Sequence, residues 1–575
     1  MRETTWFSGS RLNFAENLLR YRDDRPALIF RDEQGHRRTL SYRELYDRVS
    51  RLARGLQDAG ISVGDRVAGY MPNMPETIIG MLATTSLGAI WCSCSQDFGV
   101  SGLIDRFAQI EPRFLLTADG YWYAGKEVHA LPRVREALGQ LPSVEHVILV
   151  PNLSANPDLE GLGRAHLLDD FSPPRPVRSS SSNCPLIIRS IFCFRPGPPA
   201  SPNASFIAQG GTLIQHLKEL ILHTDLGRED RFFYFTTCGW MMWNWLASGL
   251  ALGSTLVLYD GSPFHPDSAS LLRATEEEGI TVFGASAKYY SALDKAQVEP
   301  ARDHDMSSLR TVLSTGSPLL PETYDFIYER FNSDVCLASI SGGTDIISCF
   351  VLGNPVLPVY RGEIQCRGLG MAVHVIDDDG NPVHNEKGEL ACARPFPSMP
   401  IKLWNDPDGE RYREAWFDRF DDVWCQGDYA ELTDRDTTIV YGRSDTVLNP
   451  GGVRIGTAEI YRQVEKMNEV QESIAVGQNW HGDQRIILFV VLGDGQTLND
   501  ELRQRIRKTL RTNATPRHVP ARILQVPEIP RTVSGKIVEQ AVRQVIHGEN
   551  IKNLSALANP NALEHFRNHP ELDRA

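Results

Sequence analysis

The chain has 575 residues, 42% of them apolar and 23% charged, with a net charge of −13. That length exceeds one hydrophobic core, so two or more domains are expected, and the acidity argues against a general nucleic-acid surface while leaving room for a local basic pocket that holds phosphates. Ten cysteines without a CxxC pair read as buried thiols of a reducing compartment rather than zinc ligands or disulfides.

Apolar runs such as Ile78 to Trp91 are interrupted and fall short of the roughly twenty residues that a bilayer requires. No secretory h-region opens the chain, and Asp573-Arg574-Ala575 is not a peroxisomal tripeptide, so a soluble cytosolic protein without membrane or nucleic-acid partners is expected. In chain order, Trp6 to Arg20 (WFSGSRLNFAENLLR) gives an aromatic entry and a helix with Asn13 or Asn17 near its start. Thr39 to Gly60 holds a helix with a Ser41/Glu44 capping box, with Leu45, Val49, Leu52 and Leu56 on one face and Gly60 at the C′ position. A strand over Asp65 to Met71 precedes the Pro72 to Pro75 turn and the apolar run to Trp91. This alternation marks a parallel sheet covered by helices.

From Leu141 to Gly211 the pattern changes. Phe171 to Ser182 and Arg195 to Pro202 are rich in Pro, Ser and Arg and read as loop or disorder. A helix at Thr212 to Leu222 and strands at Phe232 to Thr236, Ser254 to Tyr259, Leu309 to Ser314 and Cys336 to Ile340 follow. Beyond residue 460, strands at Ile474 to Gly477, Ile486 to Leu492 and Arg522 to Val526 and a helix at Asn499 to Leu510 form a second, smaller α+β unit. The border is expected near Asp445.

Chemistry concentrates in turns at strand ends, where open α/β sheets bind ligands. Gly316-Ser317-Pro318 offers backbone to a flat ring, and Thr344 and Asp345 offer a hydroxyl and a carboxylate suited to a phosphate and its Mg²⁺. Asp428 can accept from ribose hydroxyls and Arg443 can fork onto phosphate. Gly442 to Ile460 (GRSDTVLNPGGVRIGTAEI) sets Arg443, Asp445 and Arg454 around a Pro-Gly-Gly turn. Pro530 to Ile537 (PRTVSGKI) places Lys536 after a Ser-Gly turn, and it is not a Walker A loop because Pro530 stands where the first glycine is required. Singly, each of these is more often a surface turn or a solvated lysine; together they are specific. No G-x-S-x-G, HExxH or GxGxxG constellation points to a hydrolase, metalloprotease or dinucleotide enzyme.

The set LSTGSPL (Leu313 to Leu319), SISGGTDI (Ser339 to Ile346), GEL (Gly388 to Leu390), QGD (Gln426 to Asp428), GRSD (Gly442 to Asp445) and PRTVSGK (Pro530 to Lys536) resembles the adenylate-forming acyl-CoA synthetase superfamily. The stretches WFSGSRLNFAENLL, NPVLPVYRGEIQCRGLGMAV and NPNALEHFRNHPEL resemble its acetoacetate-activating branch, and the likeness covers the chain except about residues 150 to 210. The resemblance implies an α/β fold with a large N-terminal adenylate-forming domain of parallel-rich sheets (1–444) and a small mobile C-terminal α+β domain (445–575). It implies acetoacetate, ATP with Mg²⁺ and coenzyme A as small-molecule partners, joined through an acyl-adenylate.

Carried over residue by residue, Gly316, Ser317 and Pro318 line the adenine, with Ser341 where an aromatic usually stacks. Thr344 meets the α-phosphate and Asp345 takes the Mg²⁺ role that most relatives give to Glu. Asp428 holds the ribose and Arg443 the ribose and phosphate side, while Lys536 stabilises charge during adenylation. Asp445 is the hinge that brings Gly452 and Arg454 toward coenzyme A. For the acid, Gly342 stands where acetate-activating relatives carry a tryptophan, opening room for a longer acyl group, with Gly343 beside it and Trp240 as another wall or a core residue.

One expected part is missing. A loop of the form SSGTTGLPK should cradle the β- and γ-phosphates between Pro185-Leu186 and Gly211-Thr212, where the chain instead reads IIRSIFCFRPGPPASPNASFIAQG. Back-translation of Phe194 to Gly210 permits a neighbouring frame that reads SSGTTGLPKRIVHSPG, which leaves two readings: a shifted frame or splice junction in an ordinary ligase, or a genuine segment with badly impaired adenylation. The chain also starts abruptly inside a family motif. The alternatives are an impaired nucleotide-binding pseudoenzyme, a ligase for another short acid, and an adenylation domain serving a carrier protein, which the acetoacetate-type tail disfavours.

Overall fold

The computed structural model describes residues 1–575 without 2–3, 5, 173–183, 186–188, 196–202, 451–454, 481–482, 533–534, 552–553, 555–556 and 573–575. The helix Tyr42–Asp58 starts on the expected capping box: Ser41 Oγ accepts from the Glu44 amide, and the Glu44 carboxylate accepts from the Ser41 amide. Leu45, Val49, Leu52 and Leu56 are buried, and Gly60 ends the element at φ +88°. Asn13 caps Phe14–Leu18 and Asn499 caps Asp500–Asn513. The apolar run after Pro75 divides into a helix, Pro75–Ser86, whose every residue is buried, and a strand, Ile90–Ser95.

Two large sheets carry the N-terminal unit. In the first, Arg66–Met71 lies between Phe114–Ala118 and Ile90–Ser95 and runs parallel to both. In the second, Cys336–Ser339, Thr311–Thr315, Val282–Ser286, Arg231–Tyr234, Thr255–Asp260 and Pro26–Asp32 are parallel neighbours, and only the edge strand Arg37–Ser41 is antiparallel. Covered on both faces, such strands read as continuous apolar runs. Register here positions the site: Ser314 stands opposite Ser339, so the chain leaves Thr311–Thr315 and Cys336–Ser339 side by side.

An antiparallel sheet follows, in which Trp424–Leu432 lies between Lys387–Cys392 and Thr438–Arg443. Apolar clusters of the large unit extend to Val440, and those of the small unit begin at Leu448. The small unit pairs Val470–Trp480 with Asp483–Leu492 antiparallel and adds Arg522–Gln525 parallel to the latter. The helices Thr457–Val464, Asp500–Asn513 and Glu539–Ile546 complete it.

The stretch from 141 to 211 holds strands that the sequence pattern does not single out. His146–Val150 and Ala165–Leu167 extend the first parallel sheet, and Arg189–Arg195 and Asn203–Ala208 form an antiparallel pair on its other side. Local composition does not reveal Arg189–Arg195 and Asn203–Ala208 because distant strands pair with them: Ile191 is opposite Trp91, and Ser205 is opposite Leu403. Most of the Pro- and Ser-rich Phe171 to Ser182 and Arg195 to Pro202 lies outside the described residues. Among the described residues no helix is long and apolar enough to cross a membrane.

Candidate active site

A cavity of about 650 Å³ opens between the two units. Thr315 to Pro318 and Ser339 to Gly342 form one wall, a direct consequence of the paired strand ends, and Asp428, Gly442 and Arg443 form another. The small unit closes it with Thr457, Tyr461, Arg531, Lys536 and Glu539. Motifs separated by more than two hundred residues in sequence therefore share one space.

Asp428 is held by its sheet. Instead of lying in a turn, as the Gly427-Asp428 pair suggests, it stands inside Trp424–Leu432, with Arg443 as its register partner across the pair. Gly427 has φ +79°, and a Cβ there would sit 2.5 Å from the Arg443 guanidinium, so only glycine lets Arg443 lie across this strand. Glu389 fixes that kink by accepting from the Gly427 amide at 2.7 Å while its other oxygen pairs with Arg419 at 2.8 Å. The GEL and QGD motifs thus serve one local geometry.

Charges in the cavity oppose one another. Arg443 donates to Asp428 at 3.1 Å and to the Gln426 carbonyl at 3.0 Å, and its Nε lies 3.7 Å from Asp445. Burial pushes the Asp428 carboxyl up, opposed by Arg443. Burial also works against the Arg443 charge, but Asp428, Asp445 and Asp345 more than offset it, so its pKa is raised. Ser341 Oγ donates to Asp428 at 3.4 Å.

Lys536 reaches this group from the small unit, its backbone held against Thr532. The Gly535 amide donates to the Thr532 carbonyl at 2.8 Å, Gly535 has φ +79°, and the Lys536 amide donates to Thr532 Oγ1 at 3.0 Å. The side chain lines the cavity and is exposed to it. Partial loss of water there and the charge of Arg443 lower its pKa from the ordinary lysine value, while Asp428 and Asp345 pull it up.

Other predicted residues are placed differently. Asp345 is buried near the charges of Arg443 and Lys536, and Thr344 precedes it in a turn closed by the Ile347 amide donating to the Thr344 carbonyl at 3.2 Å. Trp240 is half-buried beneath Gly316, about 3.8 Å from where a Cβ would stand there, and meets Tyr234 edge-on at 5.9 Å. Asp445 sits in the short 3₁₀ turn Ser444–Thr446.

Gly342 lines the cavity, but the room expected in place of a side chain is absent. A Cβ there would meet the Ser348 carbonyl oxygen at 2.1 Å, because Ser341–Gly343 pairs antiparallel with Ser348–Leu352. Gly343 faces the Gln426 amide in the same way, at 2.5 Å. Gly452 and Arg454 lie outside the described residues.

Lys288, Lys295, Glu465, Glu472, Arg531 and Glu539 also line the cavity, and sequence alone did not single them out. Lys288 and Lys295, seven positions apart on the helix Ala287–Lys295, share a face, and that spacing after a strand was the available signal. No cluster of three or more His, Cys, Asp or Glu suited to a metal ion occurs among the described residues.

Two unequal α/β units with a charged cavity between them define a protein of the adenylate-forming class. The family model described as AMP-binding enzyme matches residues 14–188 and 205–399, and that of the AMP-binding enzyme C-terminal domain matches 462–536. The chain belongs to the AMP-binding enzyme family.

It is 54% identical to the acetoacetyl-coenzyme A synthetase of Rhizobium meliloti (strain 1021) over 100% of this chain and 88% of that protein. It is 41% identical to the acetoacetyl-CoA synthetase of Gallus gallus over 99% of this chain and 86% of that one. The solved acetoacetyl-CoA synthetase from Streptomyces lividans superposes with a TM-score of 0.93 at 41% identity, over 98% of this chain and 87% of that chain. An anthranilate CoA ligase in complex with anthranoyl-AMP shares the fold, with a TM-score of 0.78 at 19% identity over 92% of this chain and 96% of that chain.

Proposed function

We propose that the chain ligates acetoacetate to coenzyme A at the expense of ATP, by way of acetoacetyl-adenylate. The similarity over its full length to acetoacetyl-CoA synthetases carries the proposal. In the first half-reaction a carboxylate oxygen of acetoacetate attacks the α-phosphorus of ATP and pyrophosphate leaves. In the second the thiol of coenzyme A attacks the acyl carbon and AMP leaves.

The cavity residues suit these steps. Gly316, Ser317, Pro318 and Ser341 take the adenine, Asp428 the ribose hydroxyls and Arg443 the phosphate side; Thr344, Asp345, Trp240 and Gly343 are not among the lining residues, and Thr344 joins Arg443 at the phosphate from just beyond the Ser339 to Gly342 wall. Lys536 stabilises the charge that develops as the α-phosphorus is attacked. Mg²⁺ enters as part of the Mg·ATP substrate. Asp345 fits it as the single carboxylate such a site needs when the phosphates supply the remaining ligands.

Trp240 and the Gly342-Gly343 strand border the acyl end, although Gly342 contributes backbone proximity rather than space. The border of the units at 444/445, with Asp445 as pivot and Gly452 and Arg454 turning toward coenzyme A, belongs to the same proposal, as does a cytosolic location.

Pyrophosphate release by the purified chain tests the assignment. Release that requires both acetoacetate and ATP, with acetoacetyl-CoA formed only when coenzyme A is added, is the expected result. Faster release with acetate or butyrate would move the assignment to another short acid, and nucleotide binding without release would make the chain a pseudoenzyme.

A further inference from the structure

The two lysines on one face of Ala287–Lys295 grip adjacent residues of the small unit. Lys288 Nζ donates to Glu472 Oε1 at 2.5 Å, and Lys295 Nζ donates to the Gln471 carbonyl. Glu472 does not end there: its second oxygen lies 3.2 Å from Arg531 Nη2. Arg531 in turn donates from Nη1 to the Gly535 carbonyl at 2.8 Å, one residue before Lys536.

The backbone of Arg531 is anchored as well. Its amide donates to Asn559 Oδ1 at 2.9 Å, and its carbonyl accepts from the Ala558 amide at 2.8 Å. A continuous chain of charged contacts therefore runs from the large unit, through Lys288, Glu472 and Arg531, to the turn that presents Lys536. Both ends of that chain line the same cavity.

We propose that Glu472 is a positioning residue for Lys536, coupling closure of the small unit, through Lys288 on one side and Arg531 on the other, to placement of the Lys536 ammonium in the cavity. Arg531 contacts the Gly535 carbonyl but not the large unit, and Lys288 contacts the small unit but not the Lys536 segment; Glu472 joins the two, so the segment is fully set only when the units meet. The half-reaction that uses Lys536 then depends on a contact that does not touch substrate. The proposal rests on the ligase function above for its kinetic consequence and not for its structural one.

Glu472→Gln and Lys288→Ala in the full chain separate the possibilities. Amide hydrogen exchange of a peptide covering Thr532 to Ile537 is expected to speed up about fivefold in both variants, the factor for losing one hydrogen bond, with the strand Asp483–Leu492 unchanged. Lys288 belongs to the other unit, so its effect on that turn cannot arise from misfolding of the small unit. Acetoacetate-dependent ATP–pyrophosphate exchange should fall by a similar factor, while thioester formation from supplied acetoacetyl-adenylate stays within about twofold.

Unchanged exchange of the turn in Lys288→Ala overturns the coupling. An equal fall in both half-reactions reduces Glu472 to a structural residue and overturns it too. A chain that shows no ligase chemistry but whose turn loosens in both variants would sink the ligase assignment and leave the coupling standing.

Discussion

The cavity between the units and the segment from 189 to 208 make opposite use of the same sheet logic. In the cavity, register brings together residues whose chemistry suits a nucleotide, with Ser314 beside Ser339 and Asp428 across from Arg443. In the segment the pairing is equally regular, with Arg195 opposite Asn203 and Ser205 opposite Leu403, yet the sequence offers no run of glycines, hydroxyls and lysine for the β- and γ-phosphates. The family model divides at this place, matching up to residue 188 and again from 205. A sheet accepts many sequences once its neighbours supply the pairing, whereas a phosphate cradle accepts few.

That contrast can be sharpened by experiment. The largest effect is expected from replacing residues 194–210 with SSGTTGLPKRIVHSPG: acetoacetate-dependent ATP–pyrophosphate exchange should rise by about 10³-fold, as backbone and side-chain donors meet the leaving group. An unchanged rate would mean that the native segment already serves the phosphates, and a transcript with no alternative frame would remove the coding explanation.

Asp428→Asn follows. It removes the carboxylate that Arg443 meets across the strand pair and weakens the ribose acceptor, so the KM for ATP should rise by about 10- to 100-fold, with the melting temperature checked in parallel.

Much of the cavity was legible in the sequence because glycines and charges in fixed turns have few structural uses. Gly427 is required where Arg443 crosses the strand, and Gly535 where the turn under Lys536 reverses. The Ser41/Glu44 box and the Asn499 cap were legible for the same reason, since a local hydrogen bond decides them. What stayed hidden depends on distant chain. Arg189–Arg195 and Asn203–Ala208 take partners from the strands of Trp91 and Leu403, and Glu472 gains meaning only when Lys288 and Arg531 arrive on either side. The space inferred at Gly342 failed for this reason too, because the Ser348 backbone fills it.

Two smaller effects follow from these details. With Lys536 pushed below the ordinary lysine value of 10.5, its charged form is lost early as pH rises, so kcat/KM for ATP should fall on an alkaline limb below that pH. The sign for stability is the reverse. The folded chain holds this proton less tightly than the unfolded one, so Lys536 penalises folding at lower pH and the penalty disappears as pH climbs toward 10.5. Lys536→Ala should remove the alkaline limb. The smallest change is Gly342→Ala, which forces the Ser348 strand to shift and should lower stability by about 1–3 kcal/mol in thermal melts.

The most direct measurement compares the two half-reactions in Lys536→Ala, using the chain with the restored phosphate segment as the parent. A fall of about 10²- to 10³-fold in ATP–pyrophosphate exchange, with thioester formation from acetoacetyl-adenylate retained, is what a small-unit lysine acting beside Asp428 and Arg443 predicts. Undiminished exchange, or an equal loss of both halves, would contradict it.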